Sequence, residues 1–289
     1  MPTVVGDAPI TSVLGQAHSG VSRHSFEGAN AFMQRLLNKY RGELGVTALP
    51  QELEAAAGRT MEFLRTHTAQ LAIEATQRGS NRLEFDVVVR NLAGHKLPTA
   101  YPSRRAWLHV VARDPDGRIV FESGALQPDG SIVGNANDTD PARFEPHYAR
   151  IEHADEVQIY ESIMAGSSGG VTTGLLSAVR YAKDNRLLPR GFDKTSVPTD
   201  VAVTGEAASD ADFQGGGDRV RYVVPVPQGS GSVTVTAELW FQSIGYRWAY
   251  NLKTYEAPET QRFVRYYQET STASAILVAS ATASVRPLP

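Results

Sequence analysis

Histidine is the residue type in this sequence best suited to binding a metal, because the chain contains seven histidines and no cysteine. Three of them, His24, His95 and His147, lie in the segments SRHSFEGAN, NLAGHKLPTA and FEPHYARI, close to glycine, proline or aromatic residues. An imidazole that is held in one direction makes a good ligand for a metal or a haem iron. These three residues are therefore candidate ligands, with the alternative that each side chain only caps a turn.

The turn around His95 has the most restrictive sequence of the three. Gly94 permits backbone dihedrals that a side chain would forbid, and Pro98 restricts Leu97 to extended geometry. The sequence therefore predicts that the imidazole of His95 points in one fixed direction.

The other histidines suggest simpler roles. His67 falls on the apolar stripe of a predicted helix and His109 lies within a predicted strand, so both are expected in the core, whereas His18 and His153 are expected at the surface. A metal hydrolase using His95 and His109 is the weakest hypothesis, because no partnered carboxylate or ligand spacing supports it. The glycines of residues 215–217 precede a strand rather than a helix, which indicates a turn and not a phosphate loop.

An acidic loop offers oxygen ligands at alternate positions, as calcium prefers. Its candidate ligands are Asn135, Asn137, Asp138 and Asp140. The loop lacks the glycine and the closing glutamate of an EF-hand, so a solvated loop is the alternative. Further oxygen ligands could come from a second acidic loop that contains Asp210, Asp212 and Asp218.

The overall charge argues against some partners. The chain has 289 residues and a formal net charge of -3, from 28 basic and 31 acidic residues. With no basic excess, neither nucleic acid nor an anionic membrane surface is an expected partner. The N-terminus lacks the basic start and apolar core of a signal peptide. The apolar run of residues 273–285 falls short of the roughly 20 residues that span a bilayer, so no membrane span is expected.

Hydrophobic periodicity predicts helices at both ends of the chain and strands between them. Helical spacing covers residues 27–44 and 50–79, and a final helix is predicted over residues 257–283. Alternating patterns predict the strands 83–89, 220–226 and 233–241. The turn sequence Asp-Pro-Asp-Gly predicts that the segments on its two sides, 106–113 and 118–123, are the strands of a hairpin.

These elements predict an α+β fold in which an N-terminal helical hairpin packs on an antiparallel β-sandwich with a long loop-rich insert and a C-terminal helix. The predicted segments are a helical region at 1–80, a β-sandwich-like domain at 81–256 with its insert at 128–217, and a C-terminal helix and tail at 257–289. Insert loops of this length are usually functional or tied down by another group.

Several segments, which together span nearly the whole chain, resemble the C-terminal region of bacterial multihaem c-type cytochromes. The most specific are the His-x-Phe-x-Gly motif at His24 and the Gly-His-Lys-x-Pro-Thr motif at His95. The full set is SRHSFEGANAFMQRLLNKYRGELG, NLAGHKLPTAYPSRRAWLHV, FESGALQPDGSI, DPARFEPHY, VTTGLLSAVRYAKDNRLLPRGFD and GGGDRVRY.

The resemblance implies an electron-transfer module that lies in the periplasm or outside the cell. By the resemblance, His24 and His95 are distal ligands of haem c, His147 is a weaker third, and Arg104 and Arg105 hydrogen-bond haem propionates. The alternative for this arginine pair is an ordinary solvated strand start.

The chain departs from these cytochromes in having no Cys-x-x-Cys-His motif, so it cannot attach a haem covalently. The implied partner is therefore an N-terminal multihaem region of the same protein or a separate cytochrome. Because such motifs are often followed by Met-Pro in this family and the chain begins with Met1-Pro2, the parent protein is expected to extend upstream.

A second class of function stays open from the residues alone. A haem-free β-sandwich, stabilised by calcium, could bind a carbohydrate or a protein through Trp240, Trp248 and Tyr246. The sequence identifies no catalytic residue in either case.

Overall fold

The computed structural model describes residues 5–11, 13–22, 28–99, 101–228 and 231–286. These residues form a mixed α/β structure that consists mostly of strands. The helices are α1 (Ala31–Lys39), α2 (Pro50–His67), α3 (Ala136–Thr139), α4 (Tyr246–Asn251) and α5 (Pro258–Thr270). The strands are β1 (Ala8–Pro9), β2 (Ala17–His18), β3 (Ala69–Arg78), β4 (Arg82–Asn91), β5 (Arg105–Arg113), β6 (Ile119–Ser123), β7 (Arg150–Ile151), β8 (Ile159–Tyr160), β9 (Ser162–Gly166), β10 (Val171–Thr172), β11 (Ala178–Asp184), β12 (Gly217–Pro225), β13 (Val233–Gln242) and β14 (Ala275–Val285).

Two larger sheets share one hydrophobic core. The first has the order β3-β4-β12-β7, and the second has the order β14-β13-β5-β6 with β8 paired to β5. Buried side chains of both sheets belong to one cluster, including Phe85 and Tyr222 of the first and Leu108 and Leu239 of the second. Burying each large apolar side chain contributes about 1.5–3 kcal/mol, so this sandwich-like interior stabilises the fold.

The alternating patterns in the middle of the chain predicted these strands well. The hairpin of β5 and β6 forms around the Asp-Pro-Asp-Gly turn, and β4 pairs with β12 along its length. Alternation is informative for β4, β12 and β13, because successive side chains point to opposite faces and one face of these strands is more deeply buried than the other. Strand β5 is buried on both faces, and the turn sequence rather than alternation predicted it. The glycines of residues 215–217 form the predicted turn that leads into β12.

Two of the predicted helices are wrong in their second halves. The predicted helix 50–79 ends at His67, and β3 follows it and pairs with β4. The predicted helix 257–283 ends at Thr270, and β14 follows and pairs with β13 along ten residues. In both cases the short apolar run fits the helical period as well as the strand period. Pairing with a neighbouring strand makes each run a strand.

Several of the helices contact one another. Helices α1 and α2 contact each other, with Arg35 of α1 paired to Glu54 of α2 at 3.3 Å. Tyr40, which follows α1, stacks on Tyr266 of α5 with ring centroids 3.8 Å apart. Because β3 lies within the segment 1–80 but pairs with β4, the predicted helical region shares a sheet with the strands that follow it.

The predicted loop-rich insert of residues 128–217 carries its own small sheet, of order β10-β9-β11. Within the insert, the buried Lys183 of β11 pairs with Glu161 at 3.1 Å, and β8, which directly precedes Glu161, pairs with β5 of the sandwich. Among the residues that the structure describes, none of the helices is both long enough and apolar enough to cross a membrane.

Candidate functional site

The turn that carries His95 is fixed by contacts with a distant part of the chain. The side-chain amide of Asn91, at the end of β4, donates to the carbonyl of His95 at 2.9 Å and to that of Leu187 at 3.1 Å. Leu97 and Leu187 exchange backbone hydrogen bonds of 2.9 and 2.8 Å. The segment after β11 therefore holds both ends of the turn.

An ion pair adds a third attachment. The ammonium group of Lys96 donates to Asp184 at 2.8 Å, and Asp184 also accepts from Arg186 at 2.7 Å. Burial lowers the pKa of Lys96, against the opposing attraction of Asp184. Gly94 contributes less than predicted, because its φ is not in the left-handed region and a Cβ there would meet no atom within 4 Å.

The imidazole of His95 is exposed and has one nitrogen free for a ligand. Its Nδ1 lies 3.0 Å from the carbonyl oxygen of Lys96, and a carbonyl can only accept, so Nδ1 carries the proton. Nε2 has no hydrogen-bond partner among the described residues and is left with its lone pair. Metal-binding histidines commonly have this arrangement, in which one nitrogen is fixed by a carbonyl and the other faces the metal.

His95 lies at a cavity of about 1040 Å³ that is lined by residues of α2, by the turn after β4 and by Phe241 of β13. Pockets that bind small molecules and cofactors commonly measure about 300–1,000 Å³, so this cavity lies at the upper end of that range. Apolar side chains form much of the wall, and charged and histidine side chains lie among them. The apolar residues include Phe63, Leu64, Leu92, Leu97 and Phe241, and the polar residues include Arg59, Glu62, His67, His95 and Arg104.

Arg104 is a half-buried cation in this cavity. Its guanidinium donates to the carbonyl of Thr99 at 3.1 Å, and it has no carboxylate partner among the described residues. Burial lowers the pKa of Arg104, because no nearby anion compensates the loss of water. An anionic group of a ligand would supply that compensation.

Arg105, the next residue, lies in a different environment. It is buried, and its guanidinium donates to Gln242 at 2.8 Å, to Asp138 at 2.8 Å and to the carbonyl of Gly130 at 3.1 Å. Burial opposes the charge, but the attraction of Asp138 prevails and raises the pKa of Arg105. The two arginines point to opposite sides because they are neighbours at the start of a strand, and only Arg104 lines the cavity.

The predicted oxygen ligands of the acidic loop make hydrogen bonds within the protein. Asp138 accepts from Arg105 and from the backbone N–H of Ile132 at 2.8 Å, one bond on each oxygen. The Oδ1 atoms of Asn135 and Asp140 accept from backbone N–H groups two residues ahead. The side-chain amide of Asn137 donates to the carbonyl of Arg143.

His67 is not the core residue that its stripe predicted. It is exposed at the end of α2, where its ring stacks on Phe63 with centroids 5.3 Å apart and lines the same cavity as His95. The sequence misplaced it because the apolar spacing seemed to continue to Leu71, which belongs to β3. A helix that ends at His67 leaves this side chain outside the core.

His147 is buried in a second cluster, away from the cavity that contains His95. Its Nε2 lies 3.0 Å from Oδ2 of Asp210 and 3.9 Å from Oδ1 of Asp218. One ligand atom from each of these three residues lies within 4.8 Å of the others, a spacing that a metal ion could fill. The sequence contained both aspartates but no signal that would join them to His147.

The protonation of this cluster is set by two amides. Gln158 and Asn185 direct their NH₂ groups at Nδ1 of His147, at 2.8 and 3.1 Å. Their carbonyl oxygens are already turned toward backbone N–H groups, so the NH₂ groups cannot be exchanged for oxygens. Nδ1 is therefore an acceptor, and Nε2 carries the proton that it donates to Asp210. A metal ion at Nε2 would have to displace that proton.

Burial dominates the acid–base behaviour of the cluster. It lowers the pKa of His147 to about 4, although the hydrogen bond with Asp210 acts in the other direction. Burial also raises the pKa of Asp218 to about 7, although a hydrogen bond from Tyr160 opposes this rise. The cluster thus disfavours charge on both residues.

The remaining candidate residues lie apart from the cavity or outside the described residues. His24 is outside the described residues. His109 lies on β5 between Glu122 and Glu238, at 2.9 and 3.1 Å, rather than bonded to backbone. His18 and His153 are exposed, as predicted.

The three aromatic residues of the binding-module hypothesis contact different neighbours. Trp240 packs near Trp107, Trp248 contacts Tyr101, and Tyr246 lines a cavity of about 340 Å³.

No protein-family model and no curated protein matches this sequence. Among solved structures, the chain is similar to a penta-heme cytochrome c552 from Thermochromatium tepidum, with 14% sequence identity and a TM-score of 0.40. The match covers 78% of this chain and 41% of that chain, so the chain spans about two fifths of the length of the cytochrome. At this identity and TM-score the likeness carries no argument about function.

Proposed function

We propose that this chain is an electron-transfer module that caps a haem carried by a c-type cytochrome region, with His95 as the distal ligand of the iron. The observation that carries this proposal is the free Nε2 of His95 at a large, partly apolar cavity. A haem supplies an iron that takes up and gives up one electron at a potential set by its ligands and surroundings.

The residues of the cavity suit the parts of such a group. The carbonyl of Lys96 fixes the proton of His95 on Nδ1 and so keeps Nε2 directed outward as a base. The apolar wall would cover the porphyrin faces and exclude water. Arg104 would pair with a propionate and regain the counter-charge that it lacks in the described residues.

The remaining predicted ligands have smaller parts in this proposal. His24 lies four residues before Gly28, which lines the cavity, and it stays a predicted ligand. His147 has no part, because both of its nitrogens are engaged in the buried cluster. Arg105 has no part either, because its guanidinium is buried and donates hydrogen bonds to Gln242 and Asp138.

The proposal can be tested with a c-type haem peptide that carries its own Cys-x-x-Cys-His ligand. Adding the chain should convert the ferric peptide to a low-spin, six-coordinate spectrum, because His95 would occupy the open axial position. His95→Ala should remove this change, and Arg104→Ala should weaken binding at least fivefold. His153→Ala, which removes an exposed histidine elsewhere, is the matched control.

The proposal fails if the spectrum is unchanged by the wild-type chain, or if His95→Ala and His153→Ala give the same titration. The location of the haem carrier is a separate question. We propose a periplasmic or extracellular protein in which an N-terminal multihaem region or a separate cytochrome supplies the haem. A reading frame encoding Cys-x-x-Cys-His just upstream of the Met1 codon would favour the first arrangement, and an in-frame stop codon there the second.

A further inference from the structure

The same cavity contains a second histidine whose free nitrogen resembles that of His95. His67 lies at the last position of α2, exposed and stacked on Phe63 with an interplanar angle of 8°. The stacking holds the ring in one plane, as the turn does for His95. The cavity therefore has an ordered imidazole on α2 and another on the turn after β4.

The proton of His67 can be placed from its neighbours. The hydroxyl of Thr66 donates to the carbonyl of Glu62 at 2.7 Å, which uses its one hydrogen. Thr66 Oγ1 also lies 2.6 Å from Nδ1 of His67, so this oxygen accepts and Nδ1 donates. In this tautomer the lone pair lies on Nε2 of His67, which has no hydrogen-bond partner among the described residues.

Two cations accompany the two imidazoles. Arg59 of α2 and Arg104 line the cavity together with His67 and His95. Neither arginine has a carboxylate partner among the described residues. Two imidazoles whose Nε2 atoms have no described partner and two guanidinium groups without a described carboxylate partner match an iron porphyrin, which has one metal centre and two propionates.

We infer that the chain by itself binds one free haem without a covalent bond, with His67 and His95 as its two iron ligands. The inference rests on the proposed function, because it uses the same cavity and the same ligand, His95, and it adds His67 as the second iron ligand for a haem that brings no protein ligand of its own. His67 would take the axial position that the histidine of a Cys-x-x-Cys-His motif, which the chain lacks, occupies on a c-type haem.

Free ferric protoporphyrin IX tests this inference, because it brings no protein ligand of its own. The wild-type chain should bind one haem and give a low-spin spectrum with two histidine ligands. His67→Ala and His95→Ala should each give a high-spin spectrum and at least a tenfold weaker affinity for haem. The double variant should show no haem binding above a buffer blank without protein. His153→Ala should behave as the wild type.

The inference is overturned if the wild-type chain gives no low-spin complex with free haem, or if His67→Ala leaves that spectrum unchanged. These outcomes are distinguishable from failure of the proposed function, which is measured with the haem peptide. His67→Ala should leave the low-spin complex with the peptide intact, because the peptide provides its own proximal ligand, whereas His95→Ala should abolish it.

Discussion

Nε2 of His147 lies 3.9 Å from Oδ1 of Asp218, and burial shifts the pKa values of these two residues in opposite directions. The pKa of His147 falls to about 4 and that of Asp218 rises to about 7. Between these values the folded cluster holds a proton on Asp218 and none on the second nitrogen of His147. The unfolded chain reverses this distribution, so both states bind nearly the same number of protons.

Single variants should therefore reveal pH dependences that cancel in the wild type. In His147→Gln, Asp218 keeps a folded pKa above its ordinary value of 3.8. Its contribution to the free energy of unfolding is therefore fully present below pH 3.8 and is lost as the pH rises toward 7. In Asp218→Asn, His147 keeps a folded pKa below 6.5. Its contribution to the free energy of unfolding is therefore fully present above pH 6.5 and is lost as the pH falls toward 4.

Urea unfolding across pH 4–8 measures both slopes, each at most ~1.4 kcal/mol per pH unit for one proton. The wild-type protein provides the reference, with a nearly flat contribution from this cluster. Parallel curves for the two variants would contradict the assignment of the proton to Asp218.

The adjacent arginines should respond differently to the same substitution. Arg105→Ala leaves Asp138 buried without its counter-charge, which should cost about 3–5 kcal/mol of unfolding free energy. Arg104→Ala breaks one hydrogen bond to a carbonyl and should change stability by at most about 1 kcal/mol. Urea titrations of both variants at neutral pH measure the difference, and equal losses would show that the cavity arginine is also structural.

The position of His95 should depend on Asn91, a residue that does not line the cavity. Asn91→Ala removes the hydrogen bonds to the carbonyls of His95 and Leu187 and should loosen the turn. We expect about tenfold weaker binding of the haem peptide with the low-spin spectrum retained at saturation, since the ligand itself remains. Loss of the low-spin form at saturation would mean that the variant disrupts more than positioning.

Calorimetry can test whether the loop of residues 135–140 binds calcium. Both oxygens of Asp138 accept hydrogen bonds from the protein, and Arg105 places a positive charge beside them. We therefore expect no heat on titration with calcium at millimolar concentration. Heat that disappears in Asp140→Asn would instead support a site that rearranges to bind the ion.

The sequence by itself determined much of the sandwich. Alternation identified β4, β12 and β13, because one face of each of these strands is more deeply buried than the other, and the Asp-Pro-Asp-Gly turn identified β5 and β6. The turn sequence singled out His95, and the resemblance to cytochromes added Arg104; the structure brings both residues to one cavity. These features are local, in that the signal lies within a few residues of the element concerned.

Other features were decided only by the tertiary structure. The runs that form β3 and β14 fit helical spacing, and pairing with β4 and β13 made them strands. His67 left the core for the cavity because α2 ends there. His147 joined Asp210 and Asp218 through contacts that span more than sixty positions, for which a single sequence has no periodic signal.

The adjacent arginines show the same limit most simply. Arg104 and Arg105 are indistinguishable as residue types, and their order in the sequence does not say which one is buried. The start of β5 turns one toward Asp138 and the other toward the cavity. Local periodicity is written in the sequence, whereas the burial and charge partner of each side chain depend on which distant segments fold against it.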